Sequence, residues 1–254
     1  MLEMLERSLC CVVLVWIAAA PMQCFSQSTR HVDKMANITV GIAKNQGTAS
    51  LSYAHIWRIG RRHKLGIGVG GRLTSYVASN QYYVTAPAQL TSGSASPLII
   101  FKNNITANID SFRIASPQLH SLNASIHIDY QLTKRLGAGF NIDAIGTSFG
   151  GTRNGTFIHG SATARTDAHP TAFNILLISD NDRGSLNSEF YVRYFLNVRW
   201  GLKIGGQFLF TEYTTTTNVQ SVPQPNDRFR NKSLLLCIGV SYRGVFFHRS
   251  PRRI

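Results

Sequence analysis

Cysteine is nearly absent from the body of this 254-residue chain. Three of its four cysteines, Cys10, Cys11 and Cys24, lie in the first 26 residues, and only Cys237 follows. One thiol cannot close an internal bridge, so a disulfide-stapled secreted domain and every cysteine-based metal motif are excluded beyond that segment. Long apolar runs are also missing. The longest, Leu9–Ala20, has the length of a signal-peptide core and falls short of the roughly 20 residues a membrane helix needs. A mean hydropathy of −0.04 excludes a bundle of membrane helices. It does not exclude a membrane barrel, whose strands are apolar on one face only. Acids are scarce, with Asp+Glu 12 against Lys+Arg 26 and a net charge of +14. The basic side chains form no stripe interleaved with aromatics, and export argues against nucleic acid as a partner.

Residues 1–26 read as a secretory signal, with the small residues of Cys24-Phe25-Ser26 before a cleavage point at Gln27. Their removal takes away Glu3, Glu6 and Arg7 and raises the net charge to +15. Residues 27–254 then form one domain.

That domain is dominated by period-2 alternation, the signature of strands with one apolar and one polar face. In Leu122–Leu132 every even position is apolar or aromatic, and the odd positions include Asn123, Ser125, His127, Asp129 and Gln131. In Phe190–Trp200 the even residues are Phe, Val, Tyr, Leu, Val and Trp, while Arg193 and Arg199 are odd. The same test predicts eight strands, near 36–45, 48–59, 64–78, 119–133, 136–149, 186–200, 202–214 and 233–246. Residues 104–115 are the candidate that raises the count to ten. Most runs suit a tilted membrane strand, which needs about 9–11 residues in hydrocarbon.

Connections alternate in length. The turns at 60–63, 134–135 and 200–201 are tight, whereas 79–118, 150–185 and 215–232 are long and rich in Ser, Thr, Asn, Gly and Pro. On the apolar parity near the short-turn end stand Trp57, Tyr130, Trp200 and Tyr242, an expected interfacial girdle. The opposite parity carries Arg58, Arg72, His127, Asp129, Asp143, Glu189, Arg193 and Arg243, the expected interior polar network, with Asn141, Arg199, Lys203 and Gln207 beside them. Phe190, Phe208 and Phe210 fall outside at the other rim, while Tyr76 and Phe149 fall on the inner parity. Buried charges must pair, and a narrow barrel lets acids and arginines do so.

These features, with the final run Leu234–Arg243, resemble the small OmpA/OmpX-type eight-stranded outer-membrane β-barrels of Gram-negative bacteria. The resemblance implies an all-β, antiparallel up-and-down transmembrane barrel with short periplasmic turns and long extracellular loops, located in the outer membrane. It implies a monomer whose partners are outer-membrane lipids, lipopolysaccharide and the barrel assembly machinery. The expected role is structural or surface-interactive, with limited small-solute passage as a further option, and with no enzyme activity, cofactor or metal. Two alternatives stand beside it. One is a lipid A-modifying barrel enzyme using His120, Ser148 and Glu212 at the outer rim; the other is a soluble lipocalin-like carrier, which has the inverse distribution of apolar and polar faces. Of the basic residues in the long stretches, Arg113, Arg153, Arg165, Arg228, Arg230 and Lys232 are candidates to meet lipopolysaccharide phosphates.

Overall fold

A computed structural model describes residues 32–93, 103–177 and 181–245. The signal segment 1–26 and the tail after Val245 lie outside the described residues. Thirteen strands stand where the alternation predicts eight: β1 (Val32–Ala43), β2 (Gln46–Ile59), β3 (Leu65–Ala78), β4 (Gln81–Thr85), β5 (Ser111–Ile114), β6 (Gln118–Gln131), β7 (Leu136–Phe149), β8 (Arg153–His159), β9 (Ala162–Pro170), β10 (Phe173–Ile175), β11 (Leu186–Phe195), β12 (Trp200–Thr215) and β13 (Arg228–Val245). Among the described residues, a short helix, α1 (Ala88–Ser92), and a 3-10 turn (Thr106–Asn108) interrupt them. No helix among the described residues is long and apolar enough to cross a membrane.

The long strands form a closed ring. The antiparallel pairings run β1–β2–β3–β6–β7–β11–β12–β13 and return to β1. Following paired residues from Val32 gives Trp57, Ile67, Ile128, Phe140, Phe190, Gly206, Leu236 and then Ile42, ten residues further along β1. With a rise of about 3.3 Å per residue and strands about 4.8 Å apart, this stagger tilts the strands by about 40°. A barrel of this width is filled by its own side chains.

A second ring stands on the first. β12 and β13 continue beyond it and close with β4, β5, β8 and β9 in the order β13–β4–β5–β8–β9–β12. The segments expected to be long loops therefore supply β4, β5, β8 and β9 of a six-stranded dome. β1 and β2 end in a tight turn, where Asn45 takes the left-handed φ of 58° that asparagine tolerates. Their exit lets β13 pair directly with β4 above them. Residues 111–114 do form a strand, but in the dome, so the lower ring does not widen to ten.

Two local shifts change what the alternation predicts. The turn expected at 200–201 lies at 196–199, so Trp200 opens β12 and Arg199 is exposed in the turn, not on the inner wall. In β7 the pairing slips between Ala124–Ile145 and Ser125–Asp143, leaving Ala144 as an extra residue. This β-bulge reverses the parity beyond it. Ser148 turns inward and is buried, and Phe149 turns outward, opposite to the expectation for both.

Candidate functional site: an inverted lower ring under an apolar dome

Each face of the lower wall follows from the alternation in its strand. Ile128 is 46 % exposed and its neighbour Asp129 is 3 % exposed, and Val192 at 40 % adjoins Arg193 at 2 %. Ile38, Ile67, Leu73, Ile126, Ile204, Leu236 and Ile238 are exposed in the same way around the ring. The large aliphatic side chains thus point out of this ring, and the charged ones point in.

Inside, the charges form two linked groups. Toward the short-turn end, Asp129 accepts Arg58 Nη1 at 2.7 Å and Arg193 Nη1 at 3.2 Å. Arg58 Nε also donates to Asp33 at 2.8 Å, and Arg243 Nε lies 3.8 Å from the same carboxylate. The Arg243 guanidinium stacks 3.9 Å from the Phe195 ring centre. Higher up, Arg72 Nε lies 3.1 Å from Asp143 and Arg72 Nη1 lies 3.6 Å from Glu189. Lys203 Nζ donates to Glu189 at 2.7 Å, and Arg72 also donates to the Asn141 side-chain oxygen. His127 bonds Ser125 Oγ through Nε2 at 2.9 Å. All eight residues read from the sequence as the interior network face this lumen. Asp33, which lies before the first predicted run, completes the set; its signal is only its odd position in line with Asn37 and Thr39.

Glycine makes room for the larger members. A side chain at Gly139 would run into the ring and hydroxyl of its register partner Tyr191, which accepts Arg193 Nη2 at 2.9 Å. Met35, Ala54, Ile56 and Phe195 form a small apolar cluster within the same space.

Near the short-turn end, Trp57, Tyr130, Trp200 and Tyr242 all lie on the outward face. Trp200 and Tyr242 are register partners, and their rings meet edge to face at 4.9 Å.

The dome reverses the distribution. Its interior is apolar and aromatic, built on Tyr83, Phe112, Phe157, Tyr213 and Phe229, with Tyr76, Leu119, Leu209 and Leu235 beneath. Tyr83 and Tyr213 meet edge to face at 5.2 Å, and Phe112 lies 5.4 Å from Phe229. Tyr76, read from the sequence as an inner residue, belongs to this cluster. Outside, Arg113, Asn154, Thr163, Arg165, Asp167 and His169 are exposed, with Tyr82 and Val84 as apolar exceptions.

Where the two rings meet, β12 and β13 carry a clamp that the sequence reading missed. Glu212 is fully buried and accepts Arg228 Nε at 2.8 Å and Arg230 Nη2 at 2.7 Å. Both arginines also donate to the Asp182 backbone oxygen. Glu212 and Arg230 sit on the outward parity, yet Thr171, Asp182 and Ser185 lie against them. That cover is a tertiary contact which alternation does not report. Of the basic residues considered for lipopolysaccharide, Arg228 and Arg230 are engaged here, Arg153 donates to Gln118, and Arg113 donates to Asn80.

The three residues weighed as a catalytic set do not meet. His120 bonds Ser75 through Nδ1 at 2.9 Å, Ser148 Oγ donates to Asn174 at 2.9 Å, and Glu212 is held in its arginine clamp. The bulge places His120 and Ser148 on opposite faces of the wall.

No protein-family model matches the chain, and no curated protein matches it. Among solved structures the chain resembles small outer-membrane β-barrel proteins. Neisserial surface protein A is 12 % identical over 85 % of this chain and 97 % of its own, with a TM-score of 0.34. The attachment invasion locus protein Ail of Yersinia pestis is 7 % identical over 85 % of this chain and 100 % of its own, with a TM-score of 0.35. The outer membrane protein AlkL is 12 % identical over 91 % of this chain and 97 % of its own, with a TM-score of 0.34.

Proposed function

We propose that the protein is an outer-membrane barrel whose lower ring lies in the bilayer and whose dome stands at the cell surface, with a structural or surface-interactive role. The observation that carries this is the reversal of polarity between the rings. A wall with Ile, Leu, Val and Phe outside and paired charges inside is stable against hydrocarbon, whereas a wall with polar residues outside and an aromatic core is stable against water. The junction at Phe210–Glu212 then marks the outer boundary of the membrane, and Trp57, Tyr130, Trp200 and Tyr242 mark the inner one. Exported through its signal and assembled by the barrel assembly machinery, the chain works as a monomer, because the closed lower ring leaves no free edge to pair.

The lumen is occupied by salt-bridged side chains and the dome core lies above it, which favours a surface element over a solute channel. A lipocalin-like carrier needs an apolar interior throughout, and the charged lower lumen argues against it. The lipid A-modifying reading needs His120, Ser148 and Glu212 together, and nothing in the geometry favours that.

The test is twofold. The detergent-extracted protein migrates differently on gels before and after boiling, reporting a closed barrel. In planar bilayers it gives no conductance steps. A protein recovered in the aqueous fraction, with no heat-dependent mobility, overturns the membrane assignment; regular conductance steps overturn the closed lumen.

A further inference from the structure

The lower of the two luminal charge groups has fewer acids than bases. Arg58, Arg193 and Arg243 share Asp33 and Asp129, so three guanidinium groups face two carboxylates. The upper group is balanced, with Arg72 and Lys203 against Asp143 and Glu189. Among the described residues no other Asp or Glu lies on the inner wall of this ring. The imbalance falls on Arg243. Among the described residues its one ionic contact is Asp33 Oδ2 at 3.8 Å, and Arg58 Nε already holds that oxygen at 2.8 Å. Arg243 Nε makes no hydrogen bond, and neither do Arg58 Nη2 and Arg193 Nε.

This group lies at the short-turn mouth of the lumen. The Arg243 backbone N–H donates to the Arg199 carbonyl, in the turn before β12, at 2.7 Å, and Arg58 Nη1 donates to the Lys64 carbonyl at 3.4 Å. The Arg58 and Arg193 side chains are almost fully enclosed, whereas those of Arg243 and Asp33 are 14 % and 16 % exposed and form the accessible edge. Arg243 and Arg193 stand over the same Phe195 ring, 3.9 and 5.7 Å from its centre. Stacking fixes the plane of the Arg243 guanidinium and leaves its edge for a ligand. Around the mouth Arg61, Arg62, Lys134, Arg135 and Arg199 are exposed, and the turns 60–63, 132–135 and 196–199 contain no acid. Their field adds to that of the unbalanced arginine and draws anions to the opening.

We propose that this mouth binds one small oxyanion of the phosphate type, taken from the aqueous phase and held by the edge of the Arg243 guanidinium. A buried charge needs a partner, and a planar guanidinium matches an oxyanion through two parallel hydrogen bonds. The three unpaired atoms of the cluster are all donors, which selects an acceptor. The opening lies along the barrel axis, inside the ring of turns, so a lipid headgroup against the outer wall does not face it. That the anion arrives from the periplasm rests on the membrane orientation given above; the site itself does not.

The test is equilibrium dialysis of radiolabelled inorganic phosphate against the folded full chain in detergent, at constant ionic strength with gluconate as the other anion. Heat-dependent gel mobility checks that each variant is folded. The expected result is saturable uptake of one phosphate per barrel. Arg243→Gln should bind about tenfold more weakly, the loss expected of one charge-assisted contact. Asp33→Asn removes the competing carboxylate and should bind more tightly. The double variant R61Q/R62Q, in an exposed turn, should keep most of the affinity. No saturable uptake in the folded wild type, uptake unchanged in R243Q, or weaker binding in D33N overturns the site. A loss in R61Q/R62Q as large as in R243Q also overturns it, because it marks diffuse surface charge. A wild-type protein without heat-dependent mobility overturns the membrane reading itself, a separate outcome.

Discussion

Arg72 and Asp143 meet inside the lower ring with Nε and Oδ1 3.1 Å apart, one from β3 and the other from β7. The strand between them, β6, contributes Asn123, whose Nδ2 donates to the other Asp143 oxygen at 2.8 Å. The Asn187 backbone N–H donates to that oxygen at 3.0 Å. Four strands of the ring thus converge on one carboxylate. Removing one partner of a buried pair leaves a charge without compensation, which costs about 3–5 kcal/mol. Arg72→Leu is expected to destabilise the folded barrel by that amount in urea unfolding from lipid vesicles. The double variant R72L/D143L is expected to lose less than R72L alone. A single variant as stable as the wild type would remove the pair from the account of the lumen.

The outer face gives the complementary prediction. Ile128→Arg and Ile204→Arg place a guanidinium on the belt at the level of the ring's apolar residues. In a membrane each is expected to cost about 2–4 kcal/mol near the bilayer midplane. The yield of heat-modifiable protein in vesicles should fall accordingly. On a water-facing wall the same changes would leave stability nearly untouched.

The dome has an ordinary aromatic core, and its stability should follow from that. Phe229→Ala removes a ring packed against both Phe112 and Phe157. A loss of about 3–5 kcal/mol is expected for such a truncation. Limited proteolysis should then cut between β4 and β5 while the lower ring stays protected. Simultaneous loss of protection in both rings would show that they fold as one unit.

Gly139 and Tyr191 form a size-complementary pair. Gly139→Val is expected to displace the Tyr191 ring and its bond to Arg193, at a cost of about 1–3 kcal/mol for overpacking. Adding Tyr191→Ala should recover part of the loss, read as a coupling term in a double-mutant cycle. Strict additivity would mean that the two residues do not share the space.

The lower ring was legible because its strands are long. From Leu122 to Leu132 or from Phe190 to Phe195, alternation repeats often enough to assign the faces of Asp129 and Arg193 from residue types alone. The dome was not legible for the opposite reason. β4 has five residues and β5 four, too few to show a period, and Thr, Ser, Asn and Gly around them read as loop. The Ala144 bulge was hidden as well, because one inserted residue leaves no compositional mark and yet reverses the faces of Ser148 and Phe149. The Glu212 clamp depends on Thr171, Asp182 and Ser185 lying over the wall, a contact between distant parts of the chain.

The central claim is that the aliphatic face of the lower ring lies against lipid. Spin labels at Ile128→Cys, Val192→Cys and Leu236→Cys, with the buried Cys237 replaced by serine, read this directly in reconstituted vesicles through collisions with oxygen and with a water-soluble nickel chelate. The account predicts high oxygen and low nickel accessibility at all three sites, and the reverse at a label on Arg165 in the dome. Nickel accessibility at Ile128, Val192 and Leu236 equal to that at Arg165 would contradict it.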